Sequence, residues 1–428
     1  MNKSDSERIA TICKGLGYKI SEKIENADLI IINTCKVRQS AENRVYGLAD
    51  KISELKKANK NLKVVLTGCI VGIETGILKK DQEKLEFIDL FLNIDNIDLL
   101  ATFLFPNKNF DHSDTNSYLE IKPVYKSNFQ AYIPIMTGCN NFCSYCVVPY
   151  ARGEERSRNS KKILEEAEEL ILNKKYKEIT LLGQNVNSYK YEKTNFHSLL
   201  SEIDKIPGKY WLRFITSHPK DLSDALIKTV ENSKHITPHF HLPVQSGDNE
   251  ILKKMNRNYT IEYYKELIEK IREKIPNAAI STDIIVGFPQ EAEKQFENTV
   301  KLFKEIKFDM AYIAQYSERK GTAAARLEDN ISALEKKKRK TVLTEILKET
   351  ALSKDKKGIG KVVEILATEW KNGFLLGKSA HYKTVKFRGS KKLVGKFINV
   401  KITDAQFWGL KGKMTNKKRP LNLKPLNK

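Results

Sequence analysis

The sequence predicts an α/β chain in three parts: a small doubly wound α/β domain, a larger parallel α/β domain suited to a partial TIM-like barrel, and a small β-barrel. Three observations lead there. Apolar runs alternate with helical segments through the first hundred residues. The alternation resumes at larger scale from about 128 to 352. From about 353 to 417, short β-rich runs are separated by glycine-bearing turns. Strand–helix alternation argues for parallel sheets with crossover helices, and many short strands argue for a barrel. At 428 residues the chain has room for two or three domains and a sizeable core.

The elements follow in order. Ser4 to Leu16 is predicted as a helix, with Ser4 or Asp5 as N-cap and Gly17 as its stop. Ala27 to Asn33 is a short apolar run, the mark of a buried parallel strand. Ser40 to Lys60 is the next helix, Lys63 to Gly68 the next strand, and Leu85 to Leu92 suggests a further short strand. These make up a first domain, 1–105. Residues 106–127 are polar and weakly periodic and read as a linker. In 128–352, strands are expected at Glu178–Gly183, Trp211–Ile215, His239–Val244, Ala279–Gly287 and Met310–Ala314. One more strand before a cysteine-rich loop makes six β/α units, a (β/α)6 arrangement with its active site at the C-terminal rim. In 353–417, strands are expected at Lys361–Leu366, Phe374–Gly377, Thr384–Phe387 and Phe397–Ile402, and 418–428 is a basic tail.

The formal charge is +22, from 75 Lys and Arg against 53 Asp and Glu. Such a balance favours a polyanionic partner, because neutralising phosphates with Lys and Arg drives nucleic-acid affinity. Many lysines share helical faces with glutamates, as in Lys161-Lys162-Ile163-Leu164-Glu165-Glu166, so charge alone separates RNA binding only weakly from a solvated surface. No apolar run reaches the ~20 residues of a membrane helix, and Met1-Asn2-Lys3-Ser4-Asp5-Ser6-Glu7 is not a signal peptide. The six cysteines, none after Cys146, fit a reducing cytoplasm better than a disulfide framework.

Chemistry concentrates at Gly138-Cys139-Asn140-Asn141-Phe142-Cys143-Ser144-Tyr145-Cys146, a C-x3-C-x2-C loop. Three thiolates so close together suit a [4Fe–4S] cube, whereas zinc sites favour paired C-x2-C knuckles with four ligands. Three ligands leave one iron open to a substrate or cofactor. Three buried thiols are the plain alternative, which this spacing makes improbable. Two other cysteines, Cys35 and Cys69, end predicted strands. Ligands bind outside the carboxyl ends of strands in open α/β sheets, so both are placed to share one site. Cys13 lies inside the first helix and is expected to pack as a small hydrophobe.

Polar clusters also follow the strands of the second domain: Gly183-Gln184-Asn185-Val186-Asn187, Thr216-Ser217-His218-Pro219, Gln245-Ser246-Gly247-Asp248 and Tyr316-Ser317-Glu318-Arg319. Each alone could be ordinary turn chemistry. Four at the rim that carries the cysteine loop point to cofactor binding.

The cysteine loop and its flank, Val147-Val148-Pro149-Tyr150-Ala151-Arg152-Gly153-Glu154-Glu155-Arg156-Ser157-Arg158, resemble the radical S-adenosylmethionine (radical SAM) methylthiotransferases, most closely the MiaB-type tRNA branch. Arg213-Phe214-Ile215-Thr216-Ser217-His218-Pro219, His241 to Gly247, Met255 to Thr260 and Asp283 to Pro289 extend the resemblance. Gly395 to Ala405 is similar to a TRAM domain, an OB-like RNA-binding module. The resemblance implies two [4Fe–4S] clusters and S-adenosyl-L-methionine. Cys139, Cys143 and Cys146 would hold the catalytic cluster, whose open iron chelates SAM. One electron cleaves SAM, and the resulting 5′-deoxyadenosyl radical takes hydrogen from C2 of N6-isopentenyladenosine at position 37 of tRNA. A second cluster, held by Cys35 and Cys69, delivers sulfur, and a second SAM supplies the methyl group. Tyr145 is expected to shield the cluster or pack on the adenine. Gln184, Asn185, Ser217, Gln245 and Asp283 are the candidates for SAM or substrate contacts. Lys and Arg of the last domain should grip phosphates, with Phe407 or Trp408 available for stacking and Phe387 expected in the core. The implied partners are tRNA and an electron donor such as flavodoxin or ferredoxin, for a cytoplasmic monomer without membrane attachment.

The sequence departs from the family pattern at two places. The family holds its second cluster with three cysteines, the first in a Gly-Cys-x-Met-Asn run directly before an Asp-Ser-Glu helix, and here the chain begins Met1-Asn2-Lys3-Ser4-Asp5-Ser6-Glu7, so that the match starts just after that cysteine. The expectation is a chain cut short, lacking the first strand and the first cluster cysteine, with the second cluster weakly held. At Phe288-Pro289-Gln290-Glu291 the family has glycine where Gln290 stands, which bears on a local turn. Competing readings are methylthiolation of threonylcarbamoyladenosine in tRNA, methylthiolation of a ribosomal-protein aspartate, and an RNA-binding iron–sulfur protein without turnover.

Overall fold

The computed structural model describes residues 1–36, 39–72, 85–108 and 118–416. The first domain contains α1 (Asn2–Gly15), β1 (Leu29–Thr34), α2 (Gln39–Tyr46), α3 (Ala49–Ala58), β2 (Lys63–Gly68), β3 (Leu90–Leu92) and α4 (Leu99–Leu104). The three strands form a parallel sheet in the order β1-β2-β3. Val64, Val65 and Leu66 of β2 are fully buried, which explains why this central strand reads as a continuous apolar run.

α1 stops as expected. The Tyr18 N–H donates to Cys13 O (2.9 Å) and the Gly17 N–H to Lys14 O (3.1 Å), with Gly17 at φ +91°. This is the Schellman arrangement, which glycine enters without strain. The expected N-cap does not form. The helix starts at Asn2, and Ser4 and Asp5 lie inside its first turn, buried. Both side chains have tertiary work instead: Ser4 Oγ accepts from Arg8 (2.6 Å), and Asp5 pairs with Arg152 (2.6 Å). The single helix expected over Ser40–Lys60 is two, broken at Gly47 and Leu48, where glycine weakens the helix interior. Between Leu85 and Leu92 only Leu90–Leu92 is strand, while Leu85, Phe87 and Ile88 turn into the core. Cys13 packs among apolar side chains around Ile9, Ile94 and Leu100. The linker expectation over 106–127 falls partly outside the described residues, and the basic tail, 418–428, wholly so.

The second domain runs β4 (Gln130–Pro134), β5 (Met136–Thr137), α5 (Val148–Arg152), β6 (Arg156–Ser157), α6 (Ser160–Glu168), β7 (Glu178–Leu182), a small β8 (Lys190–Tyr191) and β9 (Thr194–Asn195) hairpin, and α7 (Phe196–Asp204). It continues through β10 (Trp211–Phe214), α8 (Asp224–Asn232), β11 (His239–His241), α9 (Asn249–Lys254), α10 (Ile261–Lys274), β12 (Ala279–Val286), α11 (Glu293–Ile306), β13 (Met310–Gln315) and α12 (Ala333–Lys356). Two parallel three-stranded sheets result, β4-β7-β10 and β11-β12-β13. The segment before β11 joins them: Leu212 N–H donates to His235 O (2.9 Å), and Thr237 N–H donates to Leu212 O (3.0 Å). One continuous core, from Ile133 through Ile179, Leu212, Phe240 and Ile284 to Leu343, fills the space between strands and helices. The strand expected over His239–Val244 ends at His241, and α12 runs past position 352 to Lys356.

The third domain is a closed barrel, β14 (Val362–Lys371), β15 (Phe374–Ser379), β16 (Thr384–Arg388), β17 (Phe397–Gln406) and β18 (Gly409–Met414), in the order β14-β15-β16-β18-β17. The fifth strand was not predicted, because its Gly-Leu-Lys-Gly-Lys-Met run buries only Leu410. Phe387 lies in the barrel core, whereas Trp408 is 71% exposed. This barrel sits against the N-terminal ends of the parallel strands. Arg213, paired with Glu178 at 2.6 Å, donates to Ser379 O (2.9 Å) and Ala380 O (3.0 Å), and Tyr382 stacks on His239. Among the described residues, no helix is long and apolar enough to cross a membrane.

Candidate functional site

The three cysteines of the C-x3-C-x2-C loop sit beyond the carboxyl end of β4. The β5–β6 pair, Met136 with Ser157 and Thr137 with Arg156, pinches the loop closed at its base. Gly138 stands at φ +79°, and a Cβ there would lie 1.8 Å from Glu154 O, so only glycine lets the two ends of the loop pass this closely. The far side is tied to α9. Ser144 N–H donates to Met255 O (3.0 Å), Ser144 Oγ to Lys254 O (2.8 Å), and Asn256 Nδ2 to Phe142 O (3.0 Å). Tyr145 packs with Ile251, Met255, Phe288, Tyr316 and Ala324, which puts an apolar wall behind the loop.

Each of the three sulfurs accepts at least one hydrogen bond. Asn141 Nδ2 donates to Cys139 Sγ (3.3 Å), Arg257 Nη1 to Cys143 Sγ (3.5 Å), and the Val148 N–H to Cys146 Sγ (3.4 Å). N–H donors aimed at sulfur stabilise thiolates that serve as cluster ligands. Burial opposes that charge: it raises the Cys139 thiol above its ordinary value and pushes Cys146 up to about 12. A bound metal overcomes such a cost, because binding deprotonates its thiol ligands. Among the described residues, no three His, Cys, Asp or Glu side chains already converge at metal-ligand distances. The fit rests on the donor set and on the hydrogen bond each sulfur holds.

The neighbouring rim carries polar atoms without partners. Gln184 Oε1 after β7, both amide atoms of Asn187, Ser217 Oγ after β10 and the Tyr316 hydroxyl after β13 are all buried and unpaired. A buried polar atom left unpaired is costly, so each of these atoms beyond the strand ends is a place where a polar ligand could complete the bonding. Gln184 and Ser217 were expected from sequence. Asn187 was not singled out, although it lies in the same polar cluster. Asn185 is occupied within the protein: Nδ2 donates to Asp221 (2.6 Å), and Oδ1 accepts the His218 N–H (3.0 Å). It holds the Thr216–His218 turn, where Thr216 itself sits at φ +71°. Gln245, at φ +70°, extends the ladder to β12 through Asp283 O and Ile285 N. Asp283 faces His241 Nε2 at 3.4 Å and is partly exposed. His218 is buried and neutral, its pKa lowered to about 2 by burial and then by the Arg257 and Lys220 charges.

Cys35 and Cys69 come together. β1 and β2 pair Thr34 with Gly68, and each cysteine is the next residue. Gly68 is at φ +92°, and a Cβ there would strike Thr34 O at 2.3 Å, so glycine lets the strand ends approach. Nearby, Asn33 Oδ1 and Thr67 Oγ1 are buried without partners. Arg152 reaches this site from the cysteine loop. Its Nε donates to Cys69 Sγ (3.2 Å), its Nη1 to the Tyr118 hydroxyl (3.2 Å) and its Nη2 to Asp5 (2.6 Å). Burial works against the Arg152 charge, and Asp5 and Cys69 outweigh it, holding it protonated. Burial raises the Cys69 thiol, with Arg152 opposing. The short helix α5 therefore bonds Cys146 at one end and Cys69 at the other. Arg156–Asp95 (2.6 Å) and Arg319–Glu42 (3.3 Å) complete the seam between the first domain and the rim. A cavity of about 770 Å³ beside Tyr125, Arg158, Lys162 and Tyr191 is lined by none of these cysteines.

Models of three families match in series: uncharacterized protein family UPF0004 at residues 1–89, the radical SAM superfamily at 133–303, and the TRAM domain at 359–415. A tRNA-2-methylthio-N(6)-dimethylallyladenosine synthase of Thermoanaerobacter pseudethanolicus is 42% identical over 427 residues, spanning 97% of this chain and 90% of that protein. A synthase of the same name from Clostridium botulinum is 43% identical over 425 residues, spanning 96% and 94%. Among solved structures, the radical S-adenosylmethionine methyltransferase TsrM from Kitasatospora setae, with cobalamin and a [4Fe-4S] cluster bound, aligns with a TM-score of 0.56. It is 13% identical and covers 76% of this chain and 73% of that one, which is a likeness of fold alone.

Proposed function

The chain belongs to the tRNA-2-methylthio-N(6)-dimethylallyladenosine synthase family of radical SAM enzymes, and from that premise we propose that it adds a methylthio group to C2 of N6-isopentenyladenosine at position 37 of tRNA. The observation that carries the reading is the cysteine loop, three sulfurs each holding at least one N–H donor at the rim of parallel strands.

The family implies a [4Fe–4S] cluster and SAM, which together supply one-electron cleavage of a sulfonium and hydrogen abstraction from an unactivated carbon. The chain's own residues do the rest. Cys139, Cys143 and Cys146 would hold the cluster. Tyr145 and its apolar neighbours exclude water behind it. Gln184, Asn187 and Ser217 offer their unpaired atoms to SAM or the nucleoside, and Asp283 offers a carboxylate at the same rim. Asn185 and Gln245 act one step back, by shaping the turns that carry those groups. Cys35 and Cys69 would help hold a second cluster as the sulfur source, with Arg152 bonded to Cys69.

We read the two parallel sheets as the halves of an open (β/α)6 barrel and the C-terminal barrel as the OB-like TRAM module. Lys and Arg of that module, with exposed Trp408 beside Phe407, suit contact with tRNA backbone and bases. The chain is best placed in the cytoplasm, as a monomer fed by a flavodoxin- or ferredoxin-class donor. Nucleosides from a strain lacking this protein test the reading. Loss of 2-methylthio-N6-isopentenyladenosine, with the unmethylthiolated nucleoside accumulating, is expected. Persistence of the modified nucleoside would overturn it, and SAM left uncleaved by the reduced protein would favour an RNA-binding iron–sulfur protein instead.

A further inference from the structure

Seven arginines are buried among the described residues: Arg8, Arg152, Arg158, Arg213, Arg257, Arg319 and Arg339. Six have a carboxylate within 4 Å: Glu166 for Arg8 and Arg158, Asp5 for Arg152, Glu178 for Arg213, Glu42 for Arg319 and Glu291 for Arg339. Arg257 alone has none among the described residues. Its Nε donates to the Tyr259 hydroxyl (2.9 Å) and its Nη2 to Pro243 O (2.7 Å), both neutral groups. Its third contact is Nη1 to Cys143 Sγ at 3.5 Å. A guanidinium taken out of water without a counter-charge is strongly unfavourable. This fold pairs every other buried arginine, so the missing anion belongs at the position Arg257 faces.

We propose that Arg257 is a positioning residue whose counter-anion is the cluster-bound thiolate of Cys143, and that its charge eases one-electron reduction of that cluster. The proposal rests on the reading that Cys139, Cys143 and Cys146 hold a [4Fe–4S] cluster. Ligation removes the Cys143 thiol proton and gives a group of net negative charge. Arg257 is fixed for it by Tyr259 and Pro243 before any cluster arrives. One electron from a low-potential reductant adds negative charge there. A fixed cation at hydrogen-bond distance stabilises the reduced form more than the oxidised form. No bond breaks on Arg257, and no proton moves to or from it.

The test uses the full chain carrying C35A and C69A, so that one cluster remains to be read. After anaerobic reconstitution, iron content and a dithionite titration followed by electron paramagnetic resonance are compared for this parent, R257M and R257K. Methionine keeps much of the volume and removes the charge. The expected result for R257M is retained iron with the one-electron equilibrium at least tenfold less favourable, a midpoint lowered by about 59 mV or more. R257K should lie within threefold of the parent. An R257M midpoint equal to the parent's overturns the proposal. If R257M takes up no iron, R257K decides: iron uptake with a near-parent midpoint supports a charge role, and iron lost there too overturns it in favour of packing alone. A parent that takes up no four-iron cluster sinks the cluster reading itself, a failure distinct from the others.

Discussion

Arg152→Met tests how the first domain is locked to the cysteine loop. Arg152 and Asp5 pair at 2.6 Å with side chains 2% and 0% exposed, and Asp5 Oδ1 already lacks a partner. Removing the cation strands a buried carboxylate, which costs about 3–5 kcal/mol. At about 1.4 kcal/mol per tenfold change, local opening should become roughly 10²- to 10⁴-fold more frequent. The effect should concentrate in α1, which carries Asp5, and at the strand ends beside Cys69. Native-state hydrogen exchange by mass spectrometry reads such local opening segment by segment. Amides of α1 should exchange faster by that factor, while those of the C-terminal barrel should not change. D5N combined with R152M should restore part of the protection, because the double variant buries no unpaired charge. Exchange in α1 within about threefold of the parent, with no coupling between the two substitutions, would refute the reasoning (a change below ~0.7 kcal/mol is what a surface site gives).

Three further outcomes follow from the same geometry. His218 is held neutral with its pKa near 2, against ~6.5 unfolded, so in the interval between them the unfolded chain binds a proton that the fold does not. Stability therefore falls as pH drops below about 6.5, by about 1.4 kcal/mol per pH unit for this group; His218→Gln should flatten the urea-unfolding slope between about pH 6 and 5, and an unchanged slope would count against it. Ser217→Ala removes an unpaired buried hydroxyl, so it should leave stability equal or slightly higher while weakening SAM binding about fivefold by equilibrium dialysis; unchanged binding would remove Ser217 from the site. Trp408→Ala should weaken tRNA binding by about 1–3 kcal/mol in filter binding and leave SAM cleavage untouched; equal affinity would place the RNA elsewhere.

What could be read from sequence was what local pattern encodes. The cysteine loop declares itself by spacing, and β2 by an unbroken apolar run whose three central side chains are fully buried. Cys35 and Cys69 were placed together by the rule that ligands gather at strand ends, and the Thr34–Gly68 register brings them there. Several of the misses share one physical source, long-range partners. Ser4 and Asp5 look like cap residues because capping is a local preference, but Arg8 and a guanidinium 147 positions away claim them. Asn185 was a candidate for ligand contact, and the fold also gives it two distant partners, Asp221 and the His218 N–H. β18 lacks the apolar alternation of a strand because closing the barrel, not burial of its own side chains, holds it. Gln290, where the resemblance led us to expect glycine, sits at φ +64°, a left-handed backbone, and its N–H donates to Asn330 (3.1 Å). Arg257 lies in the Met255–Thr260 run that carries the resemblance, but its place beside Cys143 does not show in sequence, since its distinction is the carboxylate it lacks.

The most direct measurement is nucleoside mass spectrometry on isopentenylated tRNA after anaerobic incubation with the reconstituted protein, SAM and dithionite. The account predicts that 2-methylthio-N6-isopentenyladenosine appears, and only when Cys139, Cys143 and Cys146 are all present. SAM cleaved while the isopentenyladenosine stays unchanged would contradict it.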